Sequence, residues 1–303
     1  MTEAAPLSPP SVEAFRAWTR PAGPRVARIE ISGIAVEFDG LPEALADRLS
    51  VVYAPYLGRP TSEGRPLRVR AYEAPVEYFI PPGFTKGRET YQMHTVLDGD
   101  VFRTVSYRLA SWIDVTHREG ALALGSGESD PAPRALENFL RSSVAWLALD
   151  SGGLLLHGAS IVRADHAYLF YGPSGAGKST LAALSREGEV ISDDLTLILR
   201  RPSGLVAAGS PFRGTYTCGT AMVGTFPVAC FYRLRKDTRT HVRPDDGGCF
   251  ADLLGNLPYV VDQMPQRPHL IDRARAIVQG ASFRYLHFRK DENFWPVVDA
   301  ERS

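Results

Sequence analysis

The run "YGPSGAGKST", residues 171–180, constrains this chain more than any other stretch, because its composition is that of a loop that wraps an anion. The apolar segment "AYLFY" precedes it and the amphipathic "STLAALSREG" follows, so the spacing predicts strand, loop and helix in immediate succession. That unit belongs to an α/β layer. Gly172, Gly177, Lys178 and Ser179 satisfy the pattern G-x-x-x-x-G-K-[ST], with Thr180 as a second hydroxyl. The glycines let successive backbone N–H groups of Ser174, Gly175, Ala176 and Gly177 turn inward toward phosphate oxygens. Lys178 then reaches the terminal phosphates, and Ser179 is placed to coordinate the Mg²⁺ that accompanies a nucleotide. A nucleotide with Mg²⁺ is the expected ligand.

Composition bounds the rest. The chain has 303 residues, 44% of them hydrophobic, enough for one large or two ordinary domains with their own cores. Lys plus Arg and Asp plus Glu each number 34, so no overall field draws it to nucleic acid or an anionic membrane, and neither is an expected partner. Cys218, Cys230 and Cys249 are odd in number and lack C-x-x-C spacing, which fits structural thiols in a reducing compartment. "MTEAAPLSPP" lacks the basic and apolar regions of a secretory signal, and "AWLALDSGGLLLHGASIV" is interrupted by Asp, Gly and His before it reaches membrane-spanning length. A cytoplasmic protein is expected.

Along the chain, residues 1–24 read as a flexible tail and residues 25–130 as a β-rich α+β domain. Within it, hairpins are expected at Ser32-Gly33, at Asp98-Gly99-Asp100 and at Glu119-Gly120, with a short helix in "LPEALADRLSVVYAPYL". "GSGESDPAP" reads as a linker, placing the boundary near residue 130; residues 131–303 form the second, nucleotide-binding domain. It opens with a helix from Pro133 to Gly152, followed by strands "LLLHGASIV" and "HAYLFYG", and by a helix that Gly188 ends. The basic run "RLRKDTRTHVR" has Arg233, Arg235, Lys236, Arg239 and Arg243 against a single Asp237; it reads as a solvated hairpin, the rival being a site for an acidic peptide or second phosphate. Trp295 reads as a core anchor on a closing helix.

Two carboxylates, Asp193 and Asp194, end an apolar strand shortly after the glycine loop, where phosphate-binding folds keep a base and a metal ligand. Neighbours on a strand face opposite ways, so one can meet a nucleophile while the other turns to metal-bound water or to structure. The competing reading is a turn in which both cap backbone amides.

His157-Gly158, the loop from Ser174 to Ser179, Arg186 to Gly188 and Asp193-Asp194 occur in the order seen in the HPr kinase/phosphorylase family, whose catalytic core residues 150–215 resemble. The first 130 residues show no such likeness. The resemblance implies an α/β P-loop fold of the HPr kinase C-terminal type. It also implies ATP as donor, with Asp193 accepting the proton of an attacking hydroxyl, Lys178 binding phosphate and His157 in the active site. Two positions depart from the family: Pro173 stands in its Gly-Asp-Ser-Gly loop, and Pro211-Phe212-Arg213-Gly214 replaces a motif whose Glu binds Mg²⁺. These departures leave phosphorolysis and the full metal shell without their residues, and shift metal duty toward Ser179 and Asp194. Arg213 persists and offers a guanidinium to the transferring phosphoryl group; its rival reading is a surface-loop arginine.

The expected activity is transfer of the γ-phosphoryl group of ATP to a hydroxyl of a protein serine or threonine, a biosynthetic peptide or a small metabolite. HPr itself is the less expected acceptor. A regulatory or assembly protein that binds ATP without transfer is the alternative, and a plain hydrolase a third; no Asn/Thr-Lys-x-Asp motif supports GTP. Self-association is left open.

Overall fold

The computed structural model describes residues 8–57, 64–74, 79–80, 93–106, 109–125, 132–185, 189–212, 214, 223–290 and 294–301. The chain is a mixed α/β protein with two large sheets. It divides into two compact units, Met1–Ser143 and Val144–Ser303, the division falling inside one helix. Of the linker expected at residues 125–133, Gly125 closes a strand and residues 132–133 open the helix, while 126–131 lie outside the described residues.

In the first unit, the stretch expected as a tail carries helix α1 (Val12–Ala17), whose N-cap Ser11 accepts a hydrogen bond from the Ala14 amide and whose Phe15 is buried. Phe15 meets Trp18 edge-on at 4.6 Å, an apolar anchor that the proline-rich composition hides. Strands β1 (Arg25–Ile31) and β2 (Ile34–Leu41) form a hairpin at Ser32-Gly33, both in the left-handed region. Helix α2 (Glu43–Val52) then crosses to β3 (Leu67–Ala74), which lies parallel to β2. Leu67, Val69 and Ala71 of β3 face inward while Arg68 and Arg70 face out, the period-2 burial of a half-covered strand.

Strands β4 (Met93–Asp98) and β5 (Val101–Ser106) turn about Gly99 as expected, and β6 (Leu109–Asp114) and β7 (Glu119–Gly125) complete a sheet ordered β1-β2-β3-β7-β6-β5-β4. The β6–β7 turn is at residues 115–118, with Arg118 at positive φ, and not at Glu119-Gly120. Gly120 is inside β7 for a different reason: a Cβ there would come within 2.6 Å of the Trp112 carbonyl oxygen.

The second unit starts within α3 (Ala132–Asp150), whose residues 144–149 are all buried, and Gly152 at positive φ turns the chain into β8 (Gly153–Arg163). The near-continuous apolar run of β8 marks a strand covered on both faces. Its first half pairs with β11 (Leu195–Arg201); its second half pairs with β9 (His166–Tyr171) on one edge and β10 (Glu189–Ser192) on the other. Helix α4 (Lys178–Leu184) follows the glycine loop and ends at Ser185; the expected stop at Gly188 lies outside the described residues.

Strand β12 (Gly204–Ala208) pairs with β11 and with the start of β13 (Thr225–Lys236). The rest of β13 lies parallel to β9 and, on its other side, to β15 (Phe283–Phe288). Strand β14 (His241–Pro244) pairs with β15 and not with β13, so the basic run is no hairpin: β15 is inserted between its two arms. Helices α5 (Cys249–Leu254), α6 (Pro268–Ile277) and α7 (Phe294–Ala300) complete the unit. Trp295 is buried on α7, edge-on to Tyr168 at 5.3 Å and to Phe170 at 6.0 Å, which makes it the anchor expected of it. Among the described residues, no helix is long and apolar enough to cross a membrane.

Candidate functional site

Strands β9, β13 and β15 run parallel and side by side, so their carboxyl ends, at Tyr171, Lys236 and Phe288, open on the same edge of the sheet. Ligands of open α/β sheets sit at such an edge, where the loops leave the strands. Here it borders a cleft of about 620 Å³ lined by Ser174 to Thr180, His157, Asp193, Asp194 and Gly214, and also by Lys236, Asp237, Phe288, Arg289 and Lys290.

The loop from Gly172 to Gly177 leaves β9 and enters α4 through Gly177, which is the N-cap at φ +109°. That angle suits glycine alone, and a side chain there would also press within 3.3 Å of the Phe288 ring. Lys178 is buried, its Nζ donating to the carbonyls of Gly172 at 2.8 Å and Pro173 at 3.3 Å. Burial pushes its pKa below the ordinary lysine value; the Asp194 carboxylate opposes that shift and the Arg233 guanidinium adds to it. The ammonium is thus held among the loop's own carbonyls with a carboxylate nearby. Ser179 and Thr180 open the first turn of α4, where helix amides have no intrahelical acceptor.

The acidic pair occupies the break between β10 and β11. Asp193 is 4% exposed, and its Oδ1 accepts a hydrogen bond from the Gly214 amide at 2.9 Å. Asp194 is more open: its Oδ1 lies 3.5 Å from His157 Nε2, and its amide donates to the Ser192 hydroxyl. A Cβ on Gly214 would stand 2.7 Å from Asp193 Oδ2, so glycine at 214 is what lets that segment close over the carboxylate. Of the rival reading, a turn whose Asp side chains satisfy backbone amides, the structure shows such a bond from the distant Gly214 amide to Asp193, and both acids line the cleft.

His157 reaches the cleft because β8 changes partners there. It pairs with Leu195 of β11, while the next residue, Gly158, pairs with Tyr171 of β9. At the switch the Gly158 amide donates to the Asp194 carbonyl at 2.8 Å, and a Cβ on Gly158 would stand 2.9 Å from the Phe170 carbonyl oxygen. Sheet splitting therefore brings His157, the acidic pair and the end of β9 together.

Of the residues expected in the site, His157, Ser174, Gly175, Ala176, Gly177, Lys178, Ser179, Thr180, Asp193 and Asp194 border one cleft, and Gly172 carries a carbonyl that holds Lys178. Arg213 lies outside the described residues; Gly214 beside it reaches the cleft. Sequence reasoning missed the cleft residues from the ends of β13 and β15. Lys236 and Asp237 were grouped with a solvated surface run, and Arg289 and Lys290 were not singled out, because their nearness to the loop comes from the parallel pairing of β13 and β15, which leaves no local signal. Asp237 there accepts from His287 Nδ1 and from the Thr238 amide, and these bonds hold its carboxyl down at about 2.

Arg233 was also placed on the surface, but it supports the loop. Its Nε donates to Asp252 at 2.8 Å, and its Nη1 lies 2.7 Å from where a Cβ on Gly172 would stand. No protein-family model matches the chain, and no curated protein matches it.

Proposed function

We propose that the protein is an ATP-dependent phosphotransferase with a P-loop fold of the HPr kinase C-terminal type. The observation that carries this reading is the meeting of the Lys178 loop with two carboxylates in one cleft at the carboxyl ends of three parallel strands. The triphosphate would follow the loop amides, with Lys178 exchanging its two carbonyls for phosphate oxygens. Ser179 and Asp194 fit a Mg²⁺ ion by their oxygen chemistry and their place beside Lys178; the ion supplies charge neutralisation at the phosphates.

Asp193, anchored through Oδ1 by the Gly214 amide, would take the proton of the acceptor hydroxyl on its other oxygen. That hydroxyl oxygen forms a bond to the γ-phosphorus as the bond from phosphorus to the bridging oxygen breaks, and ADP leaves. His157 would hold Asp194 in place. The acceptor is a hydroxyl on a protein, a biosynthetic peptide or a small metabolite.

A second reading is a regulatory protein that binds ATP without transfer. What favours it is the segment Ser210-Pro211-Phe212, which carries no carboxylate and leaves Asp194 as the acid nearest Lys178 for the ion.

The test uses paired variants. Lys178→Ala should weaken ATP binding by about 10- to 100-fold, as loss of a charged hydrogen-bond donor does. Asp193→Asn should leave ATP affinity unchanged and slow transfer by about 10²- to 10⁴-fold. Transfer is followed with γ-labelled ATP and an extract of the host cell. Wild-type transfer by Asp193→Asn would remove that residue as base, and no transfer by the wild type to any component would favour the regulator.

A further inference from the structure

Beyond the nucleotide cleft, one ligand atom from each of Asp237, His241 and His287 lies within 4.8 Å of the others. The three come from separate strand ends: Asp237 follows β13, His241 opens β14, and His287 precedes the end of β15. His241 and His287 are directly opposed across the β14–β15 ladder, their rings stacked at 4.3 Å and 15°.

We propose that Asp237, His241 and His287 bind a divalent transition ion of the zinc type at the rim of the cleft, separately from any Mg²⁺ that accompanies a nucleotide.

Two imidazoles and one carboxylate are a borderline donor set, which suits zinc, nickel or copper and not the hard, oxygen-seeking Mg²⁺. Donors on a tetrahedral zinc stand roughly 3.4 Å apart, so closing the present spacing needs side-chain shifts on the order of 1 Å. The surroundings already orient the donors. His241 Nδ1 is 3.2 Å from the Arg239 carbonyl, which sets the proton on that nitrogen and leaves the lone pair of Nε2 for an ion. Asp237 Oδ1 accepts from the Thr238 and Arg239 amides, which leaves Oδ2 turned to His287.

Two contacts must give way. Arg243 Nε donates to His241 Nε2 at 3.2 Å, and an ion would displace this exposed side chain; the hydrogen bond from His287 Nδ1 to Asp237 Oδ2 at 2.9 Å would open as the ion takes the place of its proton. Lys236, Arg239, Arg243 and Arg289 lie around the cluster or next to it in sequence; their charge lowers affinity for a cation and favours an anionic ligand in the open coordination position. Since Asp237 also lines the cleft, an ion here would fasten edge strand β14 to β15 and fix the part of the cleft that Asp237 borders. This inference is independent of the kinase reading.

The experiment titrates the full chain with ZnCl₂ by calorimetry, without nucleotide. One ion per chain is expected, with His241→Ala and His287→Ala each weakening it by at least about tenfold. Should either variant fail to fold, Co²⁺ added below stoichiometry to the wild type is expected to broaden the imidazole proton resonances of His241 and His287 first. No saturable binding by the wild type overturns the proposal, as does unchanged binding in both folded variants. Broadening that falls first on other histidines overturns it too.

Discussion

Buried thiols give the clearest forecast at the level of single residues. Burial pushes the Cys230 thiol up to about 11 and the Cys249 thiol up to about 12, against an ordinary value of about 8.5. Both keep their protons in the fold at a pH where an unfolded chain begins to lose them. Their contribution to stability is therefore complete below about pH 8.5 and is lost as pH rises through the folded values. At pH 8 an alkylating reagent should leave Cys230 and Cys249 unmodified in the native protein and label both after denaturation; rapid native labelling of either would contradict the packing. The placing of Lys178 and Ser179 at the start of a helix beside the loop was readable because a short local pattern sets it. Gly158 and Gly214 were not, since their need for a missing side chain comes from Phe170 and Asp193, which the fold alone brings near.

A single strand, β13, does three jobs along its length, and this shows what the elements add to the residues. It joins β12 at its start, sets Arg233 beneath the glycine loop at its middle, and delivers Lys236 and Asp237 to the cleft at its end. Arg233→Ala removes the guanidinium that packs against Gly172 and is held by Asp252 of α5, and should weaken ATP binding roughly tenfold without touching the nucleotide itself. Unchanged affinity, measured beside an unchanged melting curve, would show that the loop holds its shape alone. The sequence carried β9, the loop and α4 because neighbours in the chain form them. It misled on the basic run because alternating charges around Asp237 mimic a hairpin, while the true partner of both arms, β15, comes some forty residues later. The turn before β7 was misplaced for a similar reason: Gly120 resembles turn chemistry but answers to a neighbouring strand.

Across the whole molecule, two sheets with different connectivity share one chain, and the division falls inside α3. A two-part organisation was legible from composition, whereas the strand orders were not, because parallel pairing leaves no local signature. All three strands whose ends border the cleft pair in parallel, and the last of them is completed only at Phe288. A chain ending at Gly280 lacks β15 and α7, including Trp295, and should bind no ATP and show no cooperative urea transition for the second unit; retained binding would refute this. The ribosome makes the glycine loop more than a hundred residues before β15, whose end also borders the cleft. Pairing between distant segments is slow to form. During synthesis the nascent protein thus carries the glycine loop long before the strand that completes the cleft, and on the proposed reading a chain whose translation stops short would bind no nucleotide.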